Sequence, residues 1–221
     1  RALEFRPNNA SALSMLAHGR QQRCEWRGLA GLHARINRAI ESGPAARAGN
    51  EDPLDKINPF TLLSMPSSPA EQLRTAQQWA RGSAPAVPPP PPRPVIAPGE
   101  RLRVGFVSTD FRNHPVVHLS LEHWERIDRQ RIETFAYGID PEDQGPVGQS
   151  VARAFEHFVD VSGDATAAIV RRIRNDRIAI LIDLNGHTSH AREGIFAERP
   201  APIQINVLGY QGTLGAHWYD Y

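Results

Sequence analysis

A parallel α/β sheet preceded by a helical, repeat-like segment is the fold class this sequence predicts, and three observations predict it. From Arg101 onward, short apolar runs alternate with amphipathic stretches, as strands and crossover helices do. The run IAILIDL at 178–184 is apolar almost without a break, the pattern of a strand covered on both faces. Before residue 82 the apolar residues instead recur at spacings of three and four, as on one side of a helix.

The elements follow in order. Leu3, Ala10, Leu13, Leu16 and Ala17 form a first helical stripe, broken at Pro7 and Asn8. Leu29, Leu32, Ile36, Ala39 and Ile40 form a second, stopped by Ser42, Gly43 and Pro44. Residues 1–43 thus read as helical, with each stripe a core face and His33 a core-side residue rather than a ligand. Residues 44–81 read as a junction: a loop rich in Gly, Ala, Asn and Asp, then DKIN and an extended segment, then a helix. Ser68, Pro69 and Glu71 match a capped helix start, and Leu73, Ala76 and Ala80 give its buried stripe. Residues 82–99, with APAVPPPPPRPVIAPG, read as polyproline II or disorder and form the domain boundary, a stiff spacer in preference to a polyproline ligand for another domain.

Residues 100–221 read as most of one Rossmann-like domain. Strands are expected at Leu102–Ser108, 133–138, 158–161, 178–184 and 203–208, and helices near 118–128, 147–157 and 190–198. A further helix is expected from Asp164 as cap to Asn175, with Ala165, Ile169 and Ile173 on one face and Arg171, Arg172 and Arg174 opposite. The strand 178–184 should be central.

Composition excludes several function classes. Lys plus Arg number 25 against 24 Asp plus Glu, a formal net charge of +1, so no global field for nucleic acid or an anionic membrane arises. The single cysteine, Cys24, permits no internal disulfide, which fits a reducing, cytoplasmic location and excludes a cysteine-rich metal site. No run of eighteen apolar residues and no basic-then-apolar leader is present in the sequence. The chain starts at Arg1, within a helical pattern, so both ends are read as cut.

Three loops each follow a strand and so share the carboxyl edge of the sheet: 109–117, 185–191 and 209–215. Ligands of open parallel sheets bind beyond that edge. His114 and His118, near Asp110, could take a proton from a substrate hydroxyl, or could merely cap the helix that follows. His114 with His118 and His187 with His190 have spacings that could hold zinc, but Pro115 follows His114, no zincin glutamate is present, and His187 sits in a glycine loop. Ser108 and Ser120 lack a glycine-flanked nucleophile elbow. Gly209, Gly212 and Gly215, around Gln211, Thr213 and Leu214, suit either backbone approach to a sugar or phosphate or ordinary tight turns.

The segments VGFVSTDFRNHPVVH (104–118), DLNGHTSHAR (183–192) and ERPAPIQINVLGYQGTLGAHWYDY (198–221) occur in one order and resemble the first half of the catalytic region of the O-GlcNAc transferase and SPINDLY family. The similarity runs from about Cys24 to Tyr221 and is strongest after Arg101. ALEFRPNNASAL resembles the join between tetratricopeptide repeats, and a partial repeat cannot bury its face alone, so the rest of an array is expected upstream. The resemblance implies the N-terminal half of a GT-B glycosyltransferase, in which a nucleotide sugar lies between two facing Rossmann domains. It implies inverting transfer of N-acetylglucosamine from UDP-GlcNAc to Ser or Thr hydroxyls of a protein or peptide acceptor, with no cofactor and no metal. Nucleic acid and membrane are not among the implied partners.

On the family pattern His114 is the histidine proposed as base, with Asp110 its rival. Leu208 and Gly209 would hold the sugar, Gly212 and Thr213 would join them in the substrate loop, and Asn113, His187 and Arg192 would stand beside the crevice. Val116 and Val117 stand where the animal members carry Thr and Ser, which puts acceptor and donor recognition in doubt. Tyr221 falls before the second domain, which in the family carries a lysine and most nucleotide contacts. The alternatives are a truncated, inactive binding module or an O-fucosyltransferase of the SPINDLY type.

Overall fold

The computed structural model describes residues 2–42, 56–82, 88–94, 97–141 and 145–221. They fall into two units: Arg1–Pro85 with Gly212–Ala216, and Ala86–Gln211 with His217–Tyr221. The helix stop at Gly43 and Pro44, the loop that follows it to residue 55, and residues 83–87 and 95–96 of the linker lie outside the described residues. Residues 88–94 carry no helix or strand. Among the described residues no helix is long and apolar enough to cross a membrane.

The first unit holds α1 (Ala2–Phe5), α2 (Ala10–Gln22), α3 (Leu29–Ser42), α4 (Pro59–Leu62) and α5 (Pro69–Arg81). The break at Pro7 and Asn8 is where Asn9 starts α2, its Oδ1 accepting from Ala12 N at 2.7 Å. Leu13, Ala17, Leu32, Ile36, Ile40 and Leu62 interlock in the core. Leu16 does not join them: the buried face of α2 is Ala10, Leu13, Ser14 and Ala17, spaced by three and four, and Leu16 falls off it at 37% exposure. The segment after DKIN is not extended. Asn58 accepts from Phe60 N and Thr61 N and Pro59 opens the turn, so α4 forms.

Ser68 and Glu71 close a capping box on α5, but its buried residues are Thr75, Ala76 and Ala80, while Leu73 in the first turns stays 41% exposed. Gly215 belongs to this unit. Its φ is +60°, and a Cβ there would lie 2.7 Å from Gln77 N, so only glycine lets the loop 212–216 rest on α5.

The second unit is a five-stranded sheet, all parallel, in the order β3-β2-β1-β4-β5. Along the chain lie β1 (Leu102–Ser108), α6 (Pro115–Glu125), β2 (Ile132–Gly138), α7 (Pro146–Ala154), β3 (His157–Asp160), α8 (Thr166–Asn175), β4 (Ile180–Asp183), α9 (Glu193–Ala197) and β5 (Ile203–Asn206). The middle strand is β1. The apolar 178–184 run supplies β4, an interior strand one place off centre, because the chain winds outward from β1 through β2 and β3 and then returns to its other side.

That reversal creates a topological switch point between β1 and β4. On one face Val104 and Phe106 of β1 meet α6 and α7 through packed rings: Trp124 lies 6.2 Å from Phe106, 5.7 Å from Phe111 and 5.1 Å from Phe155, centroid to centroid. On the other face Gly105 makes room, since a Cβ there would sit 3.1 Å from Ile178, Leu181 and Tyr137 side-chain atoms. Tyr137 Oη then reaches Asp176 at the end of α8 and donates to it at 2.8 Å. Asp164 is not the cap of α8. Ala165 holds that position without a side-chain bond, the helix starting one residue later than Asp164 would place it, and the Asp164 carbonyl accepts from Arg192.

Beyond β5, Tyr221 N donates to Gln204 O at 3.4 Å and Asn206 N to Tyr221 O at 3.0 Å, the pattern of a parallel pair. Buried Arg199 fixes this tail, donating to Trp218 O at 2.8 Å and to both Asp220 oxygens at 3.0 and 3.1 Å. The aromatic cluster is the packing on which the first face depends. Trp124→Ala should therefore cost about 3–5 kcal/mol of stability, read as a lower urea midpoint; a midpoint equal to wild type would show that the cluster does not hold α6 and α7.

Candidate active site at the switch point

Where β1 and β4 end side by side, their loops are joined by one side chain. Asn185, after β4, accepts from Thr109 N through Oδ1 at 2.9 Å and donates through Nδ2 to Thr109 Oγ1 and Asp110 Oδ2, both at 2.8 Å. The amide orientation is fixed chemically, because the Thr109 N–H demands an acceptor and the Asp110 carboxylate demands a donor. Beneath it Asp183 shapes the loop: Oδ1 accepts from Asn185 N at 2.8 Å, and Oδ2 from Gly186 N at 3.1 Å and Tyr219 Oη at 2.5 Å. Burial pushes the Asp183 carboxyl up, against the pull of those donors, and burial with the adjacent Asp183 pushes Tyr219 well above the usual phenol range.

Asp110 faces three ways. Oδ2 lies 3.9 Å from His114 Nδ1, Oδ1 lies 3.5 Å from Arg112 Nη2, and its own N–H donates to Ser108 Oγ at 2.9 Å. Arg112 also donates to Asp140 beyond β2 at 2.9 Å. His114 is half-buried and caps α6, Nδ1 accepting from Val116 N at 3.3 Å. In that arrangement the neutral ring carries its proton on Nε2. Asn113 and His118 are exposed and face each other, with Oδ1 and Nε2 2.7 Å apart.

Gly209 reaches the same edge. A Cβ on it would sit 1.8 Å from the Leu184 carbonyl oxygen and 3.1 Å from Asn185 Cα, so backbone packing against the Asn185 loop requires glycine here. Leu208 precedes it at φ +71°, partly exposed in a left-handed conformation that branched and bulky residues avoid. His114, Asp110, Asn185 and Gly209 thus form a continuous line across the switch point. Gly212 and Thr213 belong to the helical unit.

His187 and Arg192 have other work. His187 is buried, with Nδ1 2.8 Å from Glu193 Oε1 and its ring edge-on to Tyr210 at 5.1 Å. Burial, then the Glu193 charge, pushes Tyr210 up to about 12. Arg192 donates to Asp164 O and Thr166 Oγ1, tying the 185–191 loop to the start of α8. Val116 and Val117 are buried in the aromatic core, where their apolar side chains serve packing. Among the described residues no three His, Cys, Asp or Glu side chains converge as a metal site requires.

Sequence reasoning passed over Asn185, Asp183, Arg112 and Tyr219. The signal available for the first two was the polar pair that ends the most apolar strand of the chain, in DLNG.

The fold and crevice define a class: a Rossmann-like unit with its polar groups gathered at the switch point. Residues 90–221 match the sequence pattern of glycosyl transferase family 41. A probable UDP-N-acetylglucosamine–peptide N-acetylglucosaminyltransferase SEC of Arabidopsis thaliana is 35% identical over 216 residues, covering 93% of this chain and 22% of its own length. The UDP-N-acetylglucosamine–peptide N-acetylglucosaminyltransferase of Caenorhabditis elegans is 44% identical over 124 residues, covering 56% of this chain and 11% of its own. A solved mutant of Thermobaculum terrenum O-GlcNAc transferase superposes with a TM-score of 0.72 at 28% identity, over 100% of this chain and 41% of that one. The chain belongs to glycosyl transferase family 41, and its sheet is one Rossmann-like half of the GT-B architecture. It spans less than half the length of these relatives.

The Asp183–Tyr219 contact has a pH signature. Burial raises the Asp183 value, so the folded chain keeps a proton where the unfolded chain has lost it; the stability this gives is full below the ordinary aspartate value of about 4 and falls as pH rises through the folded-state value. Tyr219→Phe removes a donor to the ionised form and keeps the ring stacked on Phe196. Its expected cost is about 1–3 kcal/mol in urea unfolding, growing as the pH is raised above the aspartate range. A deficit equal at every pH would mean that the ring acts by packing alone.

Proposed function

We propose that this chain forms one wall of a protein O-GlcNAc transferase, which moves N-acetylglucosamine from UDP-GlcNAc to Ser or Thr hydroxyls with inversion and without a metal or other cofactor. The observation that carries the reading is the line His114–Asp110–Asn185–Gly209 at the switch point of a family 41 chain. Inverting displacement needs an oriented hydroxyl, a group to take its proton, and stabilisation of the departing diphosphate. His114 takes the proton, Leu208 and Gly209 line the sugar's side, and Asp110 stands behind His114. Asn113 stands on the substrate side, with His187 and Arg192 holding the loop that backs it.

The diphosphate faces a second α/β domain in this reading, as the greater length of the relatives supports. The cytoplasm, with a nucleotide sugar and a protein acceptor as partners and no nucleic acid or membrane, is the matching setting. Single Cys24, exposed and free, is consistent with it.

In the full gene product, His114→Ala should lower turnover by about a hundredfold to ten-thousandfold while leaving nucleotide affinity nearly unchanged. Unchanged turnover there, together with an inactive Asp110→Asn, would transfer the base role to Asp110. The 221-residue chain alone, incubated with labelled UDP-N-acetylglucosamine and mixed protein acceptors, should incorporate no label, since loss of even one preorganised donor costs on the order of a hundredfold. Robust incorporation without a second domain would overturn the two-wall mechanism, and incorporation from a labelled GDP-fucose instead would overturn the donor.

A further inference from the structure

We infer that Asn185 is a positioning residue for transfer: by holding Asp110 Oδ2, it lets Asp110 set the tautomer of His114 that can accept a proton. The inference rests on His114 acting as the base and adds the residue that makes it competent.

The argument starts from a conflict at His114. Its Nδ1 accepts from Val116 N at 3.3 Å, which leaves the neutral ring with its proton on Nε2. An Nε2 that already carries a proton can donate but cannot accept. To act as a base through Nε2, the ring must carry its neutral-state proton on Nδ1, give up the Val116 cap and find an acceptor for the new Nδ1–H.

Asp110 Oδ2, 3.9 Å away, is the acceptor in reach. A small closing movement of the ring makes this a charge-assisted bond, stronger than the weak cap it replaces. The carboxylate is useful only if it stays where it is. Asn185 Nδ2 fixes Oδ2 at 2.8 Å, while Asn185 Oδ1 and Nδ2 both hold Thr109, the preceding residue. Arg112 lies at 3.5 Å from the other oxygen and leaves Oδ2 turned toward His114. Asn185 is itself buried and anchored by its backbone N–H on Asp183, so the whole arrangement is referred to the end of β4.

The proton then moves in balance with the sugar. The acceptor O–H breaks, its proton passes to Nε2, and the oxygen's electron pair forms the bond to the anomeric carbon. The bond from that carbon to the diphosphate oxygen breaks, and its pair leaves with the diphosphate. His114, now an imidazolium, donates through Nδ1 to Asp110, whose charge it balances.

Two measurements test this. Long-range proton–nitrogen NMR of the imidazoles in the 221-residue chain, with His114 assigned from its loss in His114→Ala, reads the tautomer directly. The wild-type ring should show a measurable Nδ1–H fraction beside the Nε2–H form held by the Val116 cap, and Asn185→Ala should lose that fraction. In the full gene product, Asn185→Ala should lower kcat by about tenfold to a hundredfold with the donor KM unchanged, the range seen for outer partners that orient a metal-binding histidine.

Asn185→Asp keeps an acceptor for the Thr109 N–H but loses the donor to Asp110, so it should be as impaired as the alanine variant and should serve if the latter fails to fold. Full turnover in Asn185→Asp, or an unchanged tautomer in both variants, would overturn the inference. A His114→Ala protein that keeps its turnover would instead overturn the base assignment, while the tautomer shift would still report on Asn185.

Discussion

The crevice depends on a single buried amide that crosses from β4 to β1. Parallel neighbours in a doubly wound sheet share backbone hydrogen bonds only along the strands, and where their chains turn opposite ways at a switch point the two loops have nothing in common unless a side chain spans them. Asn185 spans them with both ends of its amide, and Asp183 holds the backbone on either side of it. The cost is a carboxylate taken out of water, offset by two backbone N–H groups and a tyrosine hydroxyl. The bottom of the crevice is thus rigid for the same reason that its Asp183 is expensive to bury.

How far the sequence revealed this structure can be judged element by element. All five strands lie where the apolar runs were; for the interior strands the reason is that a run covered on both faces has few alternatives, whereas β3 lies at the edge and is only half-buried. The helical faces were legible in direction but not in extent: the three-and-four spacing points toward the core, yet Leu16 and Leu73 show that spacing cannot tell where the covering elements stop. The expected cap at Asp164 fell one residue short, since Ala165 takes the N-cap position and local pattern does not fix a helix start to the residue.

The same division runs through the site. Asp110 and His114 were legible because they directly follow a strand. Asn185 was not, because its partners lie 76 and 75 residues away and meet it only through the register of β1 against β4. Val116 and Val117 were legible as a departure from the animal sequences but not in meaning, which depends on the side of α6 that meets the aromatic core. The glycines of the last loop looked alike in sequence. In the fold Gly209 packs on the backbone of the crevice, whereas Gly215 packs on α5.

Asn185 is followed by Gly186, and an asparagine before glycine is the pair most prone to age chemically: the glycine nitrogen attacks the side-chain carbonyl, ammonia departs, and the resulting imide opens to aspartate or isoaspartate. Here the attacking nitrogen is held by Asp183 at 3.1 Å, and the side-chain carbonyl is turned toward Thr109 N–H. The hydrogen bonds that shape the crevice therefore also slow its decay. Loss of the amide by that route would leave a second carboxylate facing Asp110.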